Sequence, residues 1–243
     1  MELRFIGSGD AFGSGGRLQT CLYLSGGSEA MTVDFGASSL VGMKRAGLEP
    51  NGIGWLFVTH LHGDHFGGLP FLVLDGQFRR REQALNIGGP PGLADRVTRA
   101  MEVLFPGSSR VSRRFDTNFI ELPERERVEF GPAVVTCYEV QHASGAPSFA
   151  IRVEYADRVI AYSGDTEWTS ALVEASAGAD AFVCEAYFFD KRVPYHLDYR
   201  TLEEHRSDLS CQRLILTHMS QDMLDHAGDV EAELAKDGLV VEI

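Results

Sequence analysis

The sequence is short of basic residues relative to acidic ones. Lys and Arg together number 22 against 35 Asp and Glu, which gives a formal net charge of −13 at pH 7. Sequence-independent binding of nucleic acid depends mainly on neutralising phosphates with Lys and Arg. The chain is therefore expected to be a poor general binder of nucleic acid, although its total charge does not rule out a local basic patch.

Long hydrophobic runs and paired cysteines are also absent. No apolar stretch approaches the roughly 20 residues that a membrane-spanning helix needs, so no membrane partner is expected. The first residues, MELRFIGSGD, predict a strand and lack a signal-peptide pattern. The four cysteines lie in apolar segments and form no CxxC pair. Buried, reduced thiols are expected, and they favour a cytoplasmic location.

No linker, repeat or break in composition divides the chain. Its 243 residues are enough for one large domain or two small ones. We therefore interpret residues 1–243 as a single domain. A GxG spacing at Gly7 and Gly9 could suggest a dinucleotide site, but the next predicted element, Thr20–Leu24, is a strand and not a helix. Those glycines more simply allow a loop to pass close to other backbone.

The most informative segment is 54–70, GWLFVTHLHGDHFGGLP. The apolar run at 55–58 predicts a buried strand. Histidine and aspartate side chains suited to zinc and similar ions follow within six positions: His60, His62, Asp64 and His65. In an extended chain His60 and His62 point to the same side, and a turn at Gly63 would bring the next two side chains nearby. This pattern suits two metal ions about 3.5–4 Å apart better than a loop of merely hydrogen-bonded histidines.

At these residues the chain resembles a known family. THLHGDH is similar to the HxHxDH signature of the metallo-β-lactamase fold, and THLHGDHFGGLPFLV together with IGGPPGL resembles its ribonuclease Z-type phosphodiesterase branch. The resemblance implies an α/β (α+β) fold, a four-layer αββα sandwich of two mixed β-sheets flanked by helices. It also implies that three further ligands lie downstream.

Those ligands match three strand ends. His142 follows the predicted strand at 134–140, Asp165 stands in YSGDT after another apolar strand, and His218 stands in THMS. The ordinary alternatives are a structural histidine and a turn aspartate that caps a helix. The resemblance implies two divalent ions, zinc by default with Mn²⁺ or Fe²⁺ also suited. One ion would have His60, His62 and His142, the other Asp64, His65 and His218, with Asp165 bridging them.

Three more residues are implied in supporting or catalytic roles. Asp34 resembles the aspartate that supports the histidine loop by hydrogen bonds, although it could instead cap the following helix. His196, in HLDYRTLEEH, resembles the histidine that acts at the leaving group, and Glu185, in CEAYF, the glutamate that pairs with it. A carboxylate that holds an imidazolium is a sensible general acid. The alternative is that His196 caps the next helix. Asp64 is assigned to catalysis as well as to metal binding.

Such a site activates water, because a metal lowers its pKa from 15.7 to about 7. We therefore predict a dinuclear metal-dependent phosphodiesterase of small or short nucleotide-like diesters, which would bind a small anionic substrate. Ribonuclease Z carries a long tRNA-gripping arm between its third histidine and bridging aspartate. Here only a hairpin, Ser148–Tyr155 and Arg158–Tyr162, fits between His142 and Asp165. A tRNA substrate is therefore not expected, and relatives suggest a possible homodimer.

Several alternatives stay open from the sequence. The same site could hydrolyse a lactone, thioester or β-lactam, or process RNA as ribonuclease Z does, or the fold could serve as a non-enzymatic scaffold. The polar segment Pro106–Arg127 is either a solvated surface loop or a flap whose arginines meet an anionic substrate. Helices are predicted at 37–46, 69–74, 91–104, 198–209 and 229–236, with a last strand at 239–243.

Overall fold

The strands of the molecule form two sheets. The computed structural model describes residues 1–243. Its fourteen strands are β1 (Glu2–Gly7), β2 (Cys21–Ser25), β3 (Ala30–Val33), β4 (Ile53–Phe57), β5 (Leu85–Gly89), β6 (Thr117–Glu121), β7 (Val128–Phe130), β8 (Ala133–Val140), β9 (Ser148–Tyr155), β10 (Arg158–Tyr162), β11 (Ala181–Glu185), β12 (Leu214–Thr217), β13 (Glu233–Leu234) and β14 (Val240–Glu242).

Both sheets are mixed. The first has the order β14-β1-β2-β3-β4-β5-β6, antiparallel up to β3 and parallel from there to β6. The second has the order β13-β12-β11-β10-β9-β8-β7, parallel up to β10 and antiparallel beyond it. The two halves of the chain thus build similar sheets, each with a parallel part whose strands end at loops.

Seven α-helices accompany the sheets. They are α1 (Ser39–Arg45), α2 (Gly63–Phe66), α3 (Leu69–Phe78), α4 (Leu93–Leu104), α5 (Ser170–Ser176), α6 (Tyr199–Glu204) and α7 (Gln221–Asp225). None of them combines the length and apolar composition that crossing a membrane requires. The amphipathic α4 shows the common pattern: it buries Leu93, Val97 and Met101 and exposes the intervening polar side chains.

The buried hydrophobic side chains form three clusters. The central cluster joins side chains of both sheets, such as Phe5 and Leu24 of the first and Ile151 and Tyr162 of the second. A second cluster packs α5, α6 and α7 on the outer face of the second sheet. A third packs α1, α3 and α4 on the first sheet. This confirms the predicted αββα sandwich, while the single domain over residues 1–243 stays a prediction.

The predicted helix at 229–236 is wrong. The chain there forms the short strand β13, which pairs in parallel with β12. Val230, Ala232 and Leu234 pack against the second cluster and Ala235 against the central one, so alternate side chains face opposite sides of the strand. The Ala, Glu and Leu residues favour a helix locally, but the open edge of the sheet offers hydrogen bonds and apolar contacts that a helix there would lose.

The polar segment at 106–127 is largely exposed, as the surface-loop interpretation expects, but it is not a loop throughout. It contains β6, the edge strand that pairs in parallel with β5. Its arginines are tied locally: Arg110 pairs with Glu102, Arg114 lies near Glu82, and Arg113 donates to the carbonyls of Val111 and Ser108. These contacts hold the segment against the first sheet as an ordered strand and turn.

Candidate metal centre

The candidate ligands lie in loops at the ends of neighbouring strands. His60 and His62 follow β4, and His62 leads directly into α2, which contains Asp64 and His65. His142 follows β8, Asp165 follows β10 and His218 follows β12. Since strands of both sheets end here, side chains from both halves of the chain meet at one edge of the sandwich.

Two groups of donor atoms form at this edge. His60, His62 and His142 make one group, and the four buried residues Asp64, His65, Asp165 and His218 make the other. Within each group the donor atoms lie within 4.8 Å of one another. The structure thus brings together all seven residues that the sequence predicted as ligands, in the predicted division.

Asp165 lies between the two groups. Its Oδ2 atom is 3.2 Å from Nε2 of His218, 3.8 Å from Nε2 of His60 and 4.0 Å from Nε2 of His142. Its Oδ1 atom is 3.3 Å from Nε2 of His65. A carboxylate has two oxygens with separate lone pairs, so this position suits a ligand that is shared by two cations.

Several donor atoms in the cluster are buried without a hydrogen-bond partner. They are Nε2 of His60, Nε2 of His65 and Oδ1 of Asp165. Buried polar atoms are nearly always paired, so three orphans pointing into one cluster indicate a missing partner that accepts lone pairs. Imidazole nitrogens and carboxylate oxygens are the donor set of divalent ions such as zinc. The residues therefore fit two divalent ions.

Hydrogen bonds on the far side of each imidazole fix its orientation. Nδ1 of His65 donates to Oδ2 of Asp34 at 2.7 Å, and Nδ1 of His142 donates to the carbonyl of Tyr195 at 2.8 Å. Such outer partners set the tautomer and leave the other nitrogen free for a metal. In His65 the free atom is Nε2; in His142 the other nitrogen is Nε2, which lies 2.9 Å from Nδ1 of His62 inside the cluster.

Two threonines act in the same way. Thr59 Oγ1 lies 3.1 Å from Nδ1 of His60, and Thr20 Oγ1 lies 3.3 Å from Nδ1 of His218. Asp34, which is fully buried, also accepts from the backbone N–H of Thr59 at 2.8 Å. Asp34 thus supports the histidine loop from behind, as the resemblance implied, and it does not cap the following helix, which has no side-chain cap.

Backbone strain is concentrated around the cluster. Asp34, Tyr195 and His218 are non-glycine residues with φ of 59°, 72° and 57°. Such conformations cost about 1–3 kcal/mol each and persist where the surroundings enforce them. Here the enforced conformations place the candidate ligand His218, and they place Asp34 and Tyr195, which hydrogen-bond to two other candidate ligands.

The two carboxylates of the cluster have lowered pKa values. Burial raises the pKa of Asp64, but the neighbouring His65 and His218 outweigh it and lower that pKa to about 2. Burial likewise raises the pKa of Asp165, but the neighbouring His218 and His65 outweigh it, and that pKa falls well below its usual value. Both carboxylates are therefore ionised at neutral pH, the form in which they ligate metals.

His196 and Glu185 form a pair beside the ligands. Nδ1 of His196 lies 3.0 Å from Oε2 of the fully buried Glu185, whose other oxygen accepts from the N–H of Thr166. Burial lowers the pKa of His196, but the hydrogen bond to Glu185 outweighs it and raises that pKa to about 9. Asp198, not His196, caps α6 by accepting from Thr201 N–H, so the helix-cap interpretation of His196 is wrong.

A cavity of about 300 Å³ opens onto the cluster. Its walls include no residue of 106–127, so that segment is no flap over this cavity. The lining residues are Ala11, Phe12, His62, Gly63, Asp64, Asp165, Tyr187, His196 and His218.

Sequence reasoning missed several supporting or lining residues, among them Ala11 and Phe12 of the cavity wall. The carbonyl of Tyr195 and the hydroxyl of Thr20 act across long sequence separations and leave no local pattern. Thr59 directly precedes His60, so its position was a usable signal. The ring of Tyr187 stacks on that of His196, with the centroids 4.6 Å apart and the planes at 28°. Tyr187 lies close to Glu185 in the sequence, and this closeness was a second usable signal.

The fold and this cluster define a metal-dependent hydrolase of the metallo-β-lactamase fold, in its ribonuclease Z-like branch. The family model described as anti-Pycsar protein Apyc1 matches residues 1–240. The chain belongs to that family.

Individual relatives agree with this assignment. Ribonuclease Z of Methanothermobacter thermautotrophicus is 28% identical over 90% of this chain and 87% of its own. Ribonuclease Z of a Mycobacterium species (strain KMS) is 31% identical, and the match covers 75% of this chain and 67% of that protein. The crystal structure of human tRNase Z, short form, has a TM-score of 0.81 and 26% identity, and covers 100% of this chain and 99% of that one. These relatives give no support to the expectation that tRNA is not a substrate.

Proposed function

We propose that the protein is a dinuclear metal-dependent phosphodiesterase of small, nucleotide-like diesters. The observation that carries the proposal is the His196–Glu185 pair beside a cluster that fits two divalent ions. A ring nitrogen of His196 lies within 4.8 Å of donor atoms of His142 and Asp165. A proton donor in contact with the ligand cluster is what cleavage of a bond with a basic leaving group needs.

The seven cluster residues would hold the ions. His60, His62 and His142 would hold one, Asp64, His65 and His218 the other, and Asp165 would contact both. Two bound ions would supply activated water at neutral pH and Lewis-acid stabilisation of phosphoryl oxygens. Asp64 would thus serve catalysis by holding one of these ions.

His196 would protonate the leaving oxygen. Glu185 fixes Nδ1 of His196, which leaves Nε2 to donate its proton towards the cavity. Tyr187 stacks on the His196 ring at 4.6 Å and limits its rotation. Glu185 is fully buried and its other oxygen accepts from the N–H of Thr166, so its carboxylate keeps one orientation towards the imidazole.

Two features favour a small substrate. The cavity of about 300 Å³ is at the lower end of the range for small-molecule sites, about 300–1,000 Å³. The chain between His142 and Asp165 is a hairpin, β9–β10, with only Ala156 and Asp157 at its turn. No long segment projects from this part of the molecule to hold a large RNA.

The first test is hydrolysis of bis(p-nitrophenyl) phosphate by zinc- and manganese-loaded protein, with Asp165→Ala as the blank. Turnover that the substitution abolishes supports the proposal. No turnover by protein shown to bind two metals would contradict it and favour a lactone or thioester substrate. Failure to bind metal would overturn the mechanism and favour a scaffold.

RNA processing is the second candidate, because relatives over most of the chain are named ribonuclease Z. A precursor tRNA with a 3′ extension, offered beside a cyclic or short linear nucleotide, separates the two candidates by their kcat/KM ratio. The metal identity, the homodimer and the cytoplasmic location stay predictions. Metal analysis of protein purified without added metal, light scattering and cell fractionation address them.

A further inference from the structure

The side chain of Phe12 is the most exposed large hydrophobic in the molecule, at 83%. A single exposed apolar side chain is common and by itself means little. The position of Phe12 is what distinguishes it, because it lines the cavity that also contains His62, Asp165 and His196. Ala11 and Phe12 also line an adjoining depression.

The loop that carries Phe12 is held in one conformation. Asp10, which is 1% exposed, accepts from the N–H groups of Phe12 and Ser14 at 3.2 and 2.9 Å and from Ser14 Oγ at 2.7 Å. Gln19 donates to the carbonyl of Ala11 at 3.1 Å. Phe12 is thus presented to solvent by an ordered loop, and little conformational freedom is lost when a ligand covers it.

The rest of the cavity wall offers few other ways to recognise a substrate. Apart from the candidate ligands and His196, it consists of Ala11, Phe12, Gly63 and Tyr187, with no Lys, Arg or amide side chain. The metals and His196 would act at the phosphodiester. The remaining contacts are apolar or aromatic, and the two aromatic residues, Phe12 and Tyr187, have flat faces.

We propose that Phe12 is a specificity-determining residue on which the nucleobase of the substrate stacks. The inference rests on the proposed phosphodiesterase function and narrows it to diesters that carry a base close to the scissile phosphate. Every nucleobase has a π-face, and loss of one aromatic stacking partner typically weakens binding about 5- to 100-fold.

The test compares cyclic adenosine monophosphate with the same cyclic phosphodiester lacking the base, in metal-loaded wild type, Phe12→Ala and Phe12→Trp. Phe12→Ala is expected to raise KM about 5- to 100-fold for the base-bearing diester, with kcat and the base-free diester little changed. Phe12→Trp should retain the wild-type KM. Val103→Ala is the matched control, because it truncates a side chain that is 81% exposed and lies outside the cavity. It should change KM and kcat for neither diester.

A binding measurement separates this inference from the phosphodiesterase proposal. Calorimetry with adenosine monophosphate and ribose 5-phosphate needs no turnover. If wild type cleaves neither diester but Phe12→Ala weakens the binding of adenosine monophosphate and not that of ribose 5-phosphate, stacking of the base on Phe12 is supported and the phosphodiesterase proposal fails. If wild type cleaves both diesters and Phe12→Ala changes KM for both equally or for neither, stacking of the base on Phe12 is overturned while the phosphodiesterase proposal stands.

Discussion

Nδ1 of His196 lies 3.0 Å from Oε2 of Glu185, and the two residues differ sharply in environment. Glu185 is fully buried, whereas the side chain of His196 is 24% exposed and lines the cavity. The pair therefore connects a fixed carboxylate in the interior with a ring that a substrate can reach. This asymmetry suits a proton donor, since the exposed member meets the leaving group and the buried member holds it in place.

His196→Ala should slow cleavage according to the leaving group. For a diester with an alkoxide leaving group we expect kcat to fall about 10²- to 10⁴-fold, the usual contribution of general acid catalysis. For bis(p-nitrophenyl) phosphate the loss should be much smaller, because nitrophenolate departs without a proton. Steady-state kinetics on both substrates measure this. His226→Ala, outside the cavity, is the control, and equal losses on both substrates would argue against a proton donor.

Asp165→Asn should release metal from both positions. The substitution keeps the size of the side chain but removes the charge and one lone-pair-bearing oxygen, and Asp165 lies within 4.0 Å of four candidate histidine ligands. Bound zinc, measured by plasma mass spectrometry after dialysis, should fall below one ion per chain. Asp157→Asn, at the exposed turn of the same hairpin, should retain wild-type content. A full metal complement in Asp165→Asn would contradict the bridging role.

Removal of metal should lower thermal stability. Ions that bind only the folded chain stabilise it, by about 2.7 kcal/mol at a free concentration of 100 times Kd. For a chain of this size that corresponds to a Tm difference of about 5–10 °C. Differential scanning calorimetry of zinc-loaded and chelator-treated protein measures the difference. The same chelator should leave the Tm of Asp165→Asn almost unchanged, and an equal drop in both proteins would indicate an effect outside this site.

Gly36→Ala should disturb the metal centre from outside it. A Cβ at Gly36 would lie 2.2 Å from the carbonyl oxygen of Asp64 and 2.7 Å from Cβ of Gln19, so the histidine loop must shift. We expect a lower Tm and a zinc affinity reduced about 10- to 100-fold, as for other supporting positions. Zinc titration and thermal melts test this. Gly52→Ala, where a Cβ meets nothing within 4 Å and φ is not positive, is the matched control, and equal behaviour of the two would refute the steric argument.

Local patterns predicted the parts of the molecule that local physics determines. The hairpin was predicted at Ser148–Tyr155 and Arg158–Tyr162 and has those bounds. The close passage expected at the early glycines is also present, since a Cβ at Gly7 would lie 1.8 Å from the carbonyl oxygen of Gln19. In both places the sequence and its immediate neighbours carry the whole constraint.

The rest depended on contacts between distant parts of the chain. Strand β13 forms only because β12 has a free edge, so the composition of 229–236 indicated a helix instead. The carbonyl of Tyr195 orients His142 from 53 residues away, and a backbone group has no residue identity to detect. The motif at 60–65 was recognisable because its ligands are consecutive; the resemblance was needed to connect them with His142, Asp165 and His218.

The left-handed backbone at Asp34, Tyr195 and His218 has a consequence for directed evolution. Glycine adopts this conformation at lower cost than these residues do. A library screened for heat resistance in the presence of a chelator, where bound ions cannot stabilise the fold, should therefore accumulate such replacements at 34 and 218 and lose the metal centre. At 195 the same replacement should be tolerated, because His142 is held there by the backbone carbonyl and not by the tyrosine ring. The three positions would thus diverge under selection for stability, although they share one geometry.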